Sequence, residues 1–276
     1  MTNMPISKRL IFTLSLIGTL AATPAAFADE AASEKELAQQ SQNPIANLIS
    51  VALESNLYYD VGPEDGTEWI LNIKPVIPTE LSDEFMLVNR VIAPVIYQEE
   101  RFDGEDDEFG LGDFTYQGFI VPKSEGDVMW GVGPALVVPT ATDKRLGSER
   151  WSLGPALVGL WNPEGPWLVG ALVSQVQSFA GDSDRDKVSF FSLQYFINYT
   201  FPSGWYLSST PTITSNWEGS GGNKWTVPFG GGAGKVLRIG DFPIDLSLKA
   251  FYNVENPKHT ADWQSQLTLK LLFPKG

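Results

Sequence analysis

Between Val188 and Trp217 the chain alternates with a period of two for longer than an ordinary half-buried strand requires. Phe191, Leu193, Tyr195, Ile197, Tyr199 and Phe201 share one parity, and Ser192, Gln194, Asn198 and Thr200 the other; Phe196 alone breaks the pattern. Pro202-Ser203-Gly204 then makes a tight turn. From Trp205 the alternation resumes, with Tyr206, Ser208, Thr210, Thr212, Thr214 and Asn216 facing Trp205, Leu207, Pro211, Ile213 and Trp217. A period of two places each set on one face of a strand, so the stretch predicts a β-hairpin. Trp205 and Trp217 share the apolar face. At a rise of ~3.3 Å per residue and ~45° tilt they stand ~28 Å apart, close to the height of the apolar band of an outer-membrane barrel with an aromatic at each border.

The same alternation recurs along the chain. Strands are expected at Leu48 to Tyr59, Trp69 to Ile77, Phe85 to Gln98, Leu111 to Ile120, Val128 to Val138 and Trp151 to Trp161. Further strands are expected at Trp167 to Phe179, the two arms of the hairpin, Lys224 to Ile239, Ile244 to Val254 and Trp263 to Phe273. The first of these competes with a short amphipathic helix over Ile45 to Leu53. Trp130-Gly131-Val132-Gly133-Pro134-Ala135-Leu136-Val137 is echoed by Trp151-Ser152-Leu153-Gly154-Pro155-Ala156-Leu157-Val158, an internal repeat whose small residues share one face. Its prolines predict bulged or distorted strands. In Trp167 to Phe179 only Gln175 and Gln177 mark a polar face, and the run Gly230 to Gly234 predicts a bulge or a close backbone approach. The count is about twelve strands, an even number, and the connections alternate between long charged loops and short Pro/Gly turns. An all-β fold follows: an antiparallel transmembrane β-barrel over residues 48–276, with Pro202-Ser203-Gly204 at the periplasmic rim and Trp217 near the outer one.

Residues 1–28 have the form of a secretory signal peptide: Lys8 and Arg9, the apolar run Leu10 to Leu20, and Ala26-Phe27-Ala28 before Asp29. Residues 29–47 are expected to be a periplasmic segment. No later stretch approaches the ~18 apolar residues of a spanning helix.

The net charge of -14 argues against nucleic acid as a partner. With no cysteine and a single histidine, His259, thiol chemistry and histidine-rich metal sites are excluded. Gly230 to Lys235 only superficially resembles a phosphate loop, and no G-x-S-x-G or metalloprotease motif appears. No catalytic residue, cofactor or resident metal is expected, and the chain does not read as an enzyme. The acidic runs Glu99 to Glu108 and Asp182 to Asp186 fall in expected outside loops, where divalent cations bridging to lipid phosphates compete with a solvated charged surface.

Chemistry therefore rests with the polar parity. Lys74, Arg90, Asp113, Gln194, Asn198, Thr210, Thr212, Thr214, Asp245, Lys249 and Lys270 are the expected pore-lining residues, with Glu54 beside them. Either they pair within a packed interior, because lone buried charges are costly, or they line a polar pathway that selects a solute.

Several strings resemble one family: Asn43-Pro44-Ile45-Ala46-Asn47-Leu48-Ile49-Ser50, Lys74-Pro75-Val76-Ile77-Pro78, Arg90 with Pro94-Val95-Ile96, Gly110-Leu111-Gly112-Asp113, Gly131-Val132-Gly133-Pro134, Pro139-Thr140-Ala141-Thr142 and Gly204-Trp205-Tyr206-Leu207. The chain resembles the phenol-degradation MetA-pathway family of outer-membrane proteins, bacterial members of which carry neuromedin-U-like or transporter labels. The resemblance implies an outer-membrane barrel linked to uptake of small aromatic or hydrophobic compounds, and supplies no catalytic residues. The expectation is a channel or transporter for small solutes, set in outer-membrane lipid. The alternative is a non-conducting structural or surface-interaction barrel that acts through its acidic loops.

Overall fold

The computed structural model describes residues 34–274, apart from 101–103, 105, 124, 125, 222 and 241. The leader expected over residues 1–28 therefore lies outside the described residues. The strands in chain order are β1 (Ile49–Val61), β2 (Gly66–Glu80), β3 (Phe85–Gln98), β4 (Glu108–Leu111), β5 (Phe114–Pro122), β6 (Val128–Val138) and β7 (Arg150–Trp161). They continue with β8 (Trp167–Gly181), β9 (Ser189–Thr200), β10 (Trp205–Ser209), β11 (Thr212–Asn216), β12 (Trp225–Ile239), β13 (Phe242–Glu255) and β14 (Trp263–Phe273). Both β4 and β5 pair with β3 and are parted only by Gly112 and Asp113. Likewise β10 and β11 both lie between β9 and β12, parted by Thr210 and Pro211. Each such pair is one interrupted stave, so fourteen strands make twelve staves. Because β14 returns to pair with β1, the antiparallel sheet closes and no edge is left unpaired. This is the twelve-stranded all-β barrel that the alternation predicts.

Ile49 to Val61 is a strand, paired with β2 on one side and β14 on the other, so ladder bonds on both flanks prevail over the helical alternative. Ahead of it, residues 34–42 form a helix.

Facing follows the alternation. On β7, Leu153, Leu157 and Trp161 are about half exposed on the outside, at 49%, 54% and 47%, while Ser152, Ala156, Val158 and Leu160 are buried inside. Aromatic rings gather at both ends of this apolar outer surface. At the turn end Trp167 meets Tyr199 edge-on at 4.9 Å and Phe242 meets Phe273 at 5.3 Å. At the loop end Trp217 meets Trp225 at 5.4 Å and Tyr252 meets Trp263 at 5.0 Å.

One local expectation changes, and two resolve between their alternatives. Gln175 and Gln177 occupy the outward parity of β8, since their inward neighbours Leu172, Ser174 and Val176 are the buried ones; Gln175 Oε1 instead accepts a bond from Trp217 Nε1 at 2.7 Å. Pro134 and Pro155 cause no bulge. Pairing lapses beside them, between Gln117↔Ala135 and Ile120↔Val132 and between Leu153↔Gln177 and Ala156↔Ser174, and resumes in the same register. A proline removes one donor without adding a residue, so the ladder loses bonds but keeps its phase. The glycine run also keeps its register against β13, and the close approach is the explanation: a Cβ on Gly232 would stand 1.9 Å from the Leu248 carbonyl oxygen.

The interior has two sectors. Inward side chains of β3 and β5 to β9, among them Val88, Phe119, Val121, Val158, Leu168 and Phe196, pack with Ile45 into an apolar core. The opposite wall, from β13 through β14 and β1 to β2, carries the charges.

Candidate functional site

Register alone assembles the charged wall. Asp245 lies beside Lys270, Lys270 beside Ala52 and Ala52 beside Lys74, so four adjacent strands place three charged residues in one row. The next inward row runs Ser247, Thr268, Glu54 and Asn72, and the row beyond it Lys249, Gln266 and Asn56. Arg90 comes in from β3 opposite Val76. Lys74 Nζ meets Glu54 Oε1 at 2.5 Å, a diagonal ion pair across β1 and β2. Lys249 Nζ donates to Thr210 Oγ1 at 2.8 Å. Thr210 can accept because it stands in the interruption between β10 and β11, where the chain is free of ladder pairing.

The helix over residues 34–42 enters the barrel at its turn end and is fastened to this wall. Asp245 receives three donors: Tyr206 Oη at 2.6 Å, Gln42 Nε2 at 3.0 Å and Ser41 Oγ. Lys270 Nζ donates to the Ser41 carbonyl at 2.5 Å, and Gln39 Nε2 reaches the Gly165 carbonyl in the β7–β8 turn at 2.6 Å. The apolar side of the helix, Leu37 and Ala38, packs against Tyr206, Val236 and Leu272. Gly234 leaves the space that the Tyr206 ring fills, since a Cβ there would lie 2.3 Å from the ring. Bonds to a charged acceptor contribute about 1.5–3 kcal/mol each, so Asp245→Asn is expected to loosen the helix by an amount of that order. Limited proteolysis of the folded protein checks this, with faster cleavage within residues 34–48 in the variant.

Above the helix lies a cavity of about 120 Å³. Its charged lining is Glu54, Lys74, Arg90, Asp245, Lys249 and Lys270; Gln194, Thr210 and Tyr206 add polar groups, and Val76 and Phe196 an apolar face. Among the described residues the lumen holds one ion pair, Lys74 with Glu54. The buried Nη1 of Arg90 has no hydrogen-bond partner among them.

Of the expected pore-lining residues, Lys74, Arg90, Gln194, Thr210, Asp245, Lys249 and Lys270 line this cavity. Four are placed elsewhere. Asn198 is buried in the wall between β8 and β10, near the turn end. Thr212 and Thr214 face inward nearer the loop end, opposite Gln194 and Ser192. Asp113 stands in the interruption between β4 and β5 and organises an outer loop, accepting from Ser148 N and Ser148 Oγ at 2.7 Å each and from Ala141 N at 3.2 Å. Sequence reasoning missed Ser41, Gln42, Tyr206, Phe196 and Val76. The break in alternation at Phe196 was a usable signal, because an apolar residue on a polar parity marks an apolar spot in the lumen. The helix residues left none.

The outer loops are tied by arginine. Arg145 pairs with Glu108 and donates to the Asp106 carbonyl at 2.8 Å, while Arg185 reaches Glu149 Oε2 at 3.1 Å and the carbonyls of Lys144 and Gly147. Among the described residues no three histidine or acidic side chains are grouped closely enough to hold a metal ion.

Among solved structures, an outer membrane channel from Pseudomonas putida F1 is similar at a TM-score of 0.63 and 15% identity, over 82% of this chain and 96% of that one. At that identity the likeness establishes the fold alone. A Pseudomonas aeruginosa FadL homologue (TM-score 0.40, 8% identity, 82% of this chain and 89% of that one) and the CymD monoaromatic hydrocarbon channel (TM-score 0.39, 10% identity, 87% and 91%) are more remote. No curated protein matches, and the neuromedin-U-like label has no counterpart in these comparisons. The family described as "Putative MetA-pathway of phenol degradation" matches residues 65–269. Of the barrel, that span takes in all but the first stave and the last strand's end, and the chain belongs to this MetA-pathway phenol-degradation family.

Proposed function

We propose that the chain is a passive channel of the outer membrane that admits small hydrophobic or aromatic solutes. The observation that carries this reading is the inversion of an ordinary soluble fold: the outer surface is apolar between two aromatic rims, and the charges sit inside, around a cavity. Such a surface suits lipid, with rings at the two headgroup levels, and polar groups within a closed barrel suit a solute path. The apolar sector of the lumen and the family's association with phenol degradation favour a solute with a ring. Transport is passive in this reading, with no catalytic or energy-coupling step.

Charge selectivity tests it. Four cations and two carboxylates face the cavity, an excess of two positive charges. Single channels in planar bilayers are expected to prefer anions, and the double variant Lys74→Glu with Lys249→Glu to prefer cations, reversing the sign of the zero-current potential across a KCl gradient. An unchanged potential in a folded, inserted variant would mean that ions do not pass this wall.

A further inference from the structure

We infer that the lumen cavity is a binding site for a small organic anion carrying one ring, of the aromatic carboxylate class. The inference rests on the channel reading, because it names the solute that the channel would take; the binding it describes can be measured separately.

Charge is the first ground. The whole chain carries a net charge of -14, yet the cavity wall reverses that sign. Of the four cations only Lys74 is neutralised, by Glu54 at 2.5 Å. Lys249 spends its bond on a threonine hydroxyl and Lys270 on a backbone carbonyl, neither of which cancels charge. Asp245 accepts from Tyr206, Ser41 and Gln42 and forms no ion pair among the described residues. A lumen enclosed by low-dielectric walls focuses such an excess onto whatever enters.

The second ground is the orphaned donor. Arg90 lines the cavity and its buried Nη1 has no acceptor among the described residues. A buried cationic donor left unpaired is costly, and a carboxylate is the acceptor that a planar guanidinium matches best, with two parallel bonds. Inorganic anions would satisfy the charge but not the rest of the wall.

That rest is the third ground. Phe196 and Val76 face the same cavity, and Phe196 is the residue that breaks the polar parity of β9. The cavity of about 120 Å³ is of the order of an engineered apolar cavity of about 150 Å³ that admits benzene. A ring against Phe196 and Val76, with its carboxylate toward Arg90, Lys249 and Lys270, uses both sectors at once.

Isothermal titration of the detergent-solubilised full chain tests this with four probes: benzoate, its neutral counterpart benzyl alcohol, acetate and inorganic phosphate. Benzoate is expected to bind about tenfold or more tightly than each of the other three, since each lacks the charge or the ring. Arg90→Gln is expected to weaken benzoate about tenfold with little change for benzyl alcohol, and Arg90→Lys to restore part of the loss. Benzyl alcohol binding as tightly as benzoate would overturn the anion, and phosphate or acetate doing so would overturn the ring. Should Arg90→Gln fail to fold, the ranking of the four probes on the unaltered chain still decides. Flux into proteoliposomes separates the two readings: benzoate bound, with neither benzoate nor benzyl alcohol carried, would overturn the channel and leave the site standing.

Discussion

Deletion of residues 34–42 is expected to raise the single-channel conductance severalfold. The helix has a diameter of about 10–12 Å with its side chains, comparable to the interior that a barrel of this size leaves open, so its presence at the turn end decides the free cross-section. Its attachment is local: Ser41 and Gln42 on Asp245, the Ser41 carbonyl on Lys270, Gln39 on the Gly165 carbonyl, and Leu37 and Ala38 packed on Tyr206, Val236 and Leu272. The barrel itself does not depend on these contacts, because its ladder closes between β1 and β14 without the helix. Heat-modifiable mobility should therefore be retained while conductance rises. Folded, inserted protein lacking the helix and conducting no more than the full chain would show that the constriction lies elsewhere.

The second large effect is on folding. Gly154→Val is expected to abolish assembly of the barrel or to lower its stability by ~3 kcal/mol or more, because the interior at that point has no room for a side chain. A Cβ on Gly154 would lie 1.7 Å from the Gln175 carbonyl oxygen, and one on the equivalent Gly133 would lie 1.6 Å from that of Gly118. Both clashes are with the backbone of the neighbouring strand, which cannot turn aside as a flexible side chain can. The loss of the folded band in a gel run without heating, or a lower urea midpoint of unfolding, measures it. A control at Gly159, whose Cβ would meet nothing within 4 Å, is expected to tolerate alanine with little change.

Strand alternation is a local property, and it marks most staves, with ambiguous parity over Trp167 to Phe179 and a break through Gly230 to Gly234, because a closed barrel imposes the same in-out rule on each strand regardless of its partners. It also selected the charged residues that register later brings into rows, from Lys74 to Lys270. It failed where local pattern and tertiary setting diverge. Gln175 and Gln177 look inward by polarity but lie outside near the loop end, where Gln175 serves the indole of Trp217. Asp113 has the right parity but stands at a break in the ladder, so its carboxylate turns to the backbone of the loop around Ser148. The contribution of Ser41 and Gln42 was illegible, because a polar segment ahead of a barrel carries no periodicity that tells whether it stays outside or returns to the lumen. The repeat around Pro134 and Pro155 announced irregular pairing but not its form, since loss of a donor and insertion of a residue leave the same mark in a sequence.

Passage of small solutes through the interior of the barrel is measured by swelling of proteoliposomes in an iso-osmolar solution of a small aromatic alcohol. The full chain is expected to speed swelling above that of protein-free liposomes, and the chain lacking residues 34–42 to speed it further. Both proteins inserted and folded, with neither exceeding the protein-free rate, would contradict a solute path through the barrel.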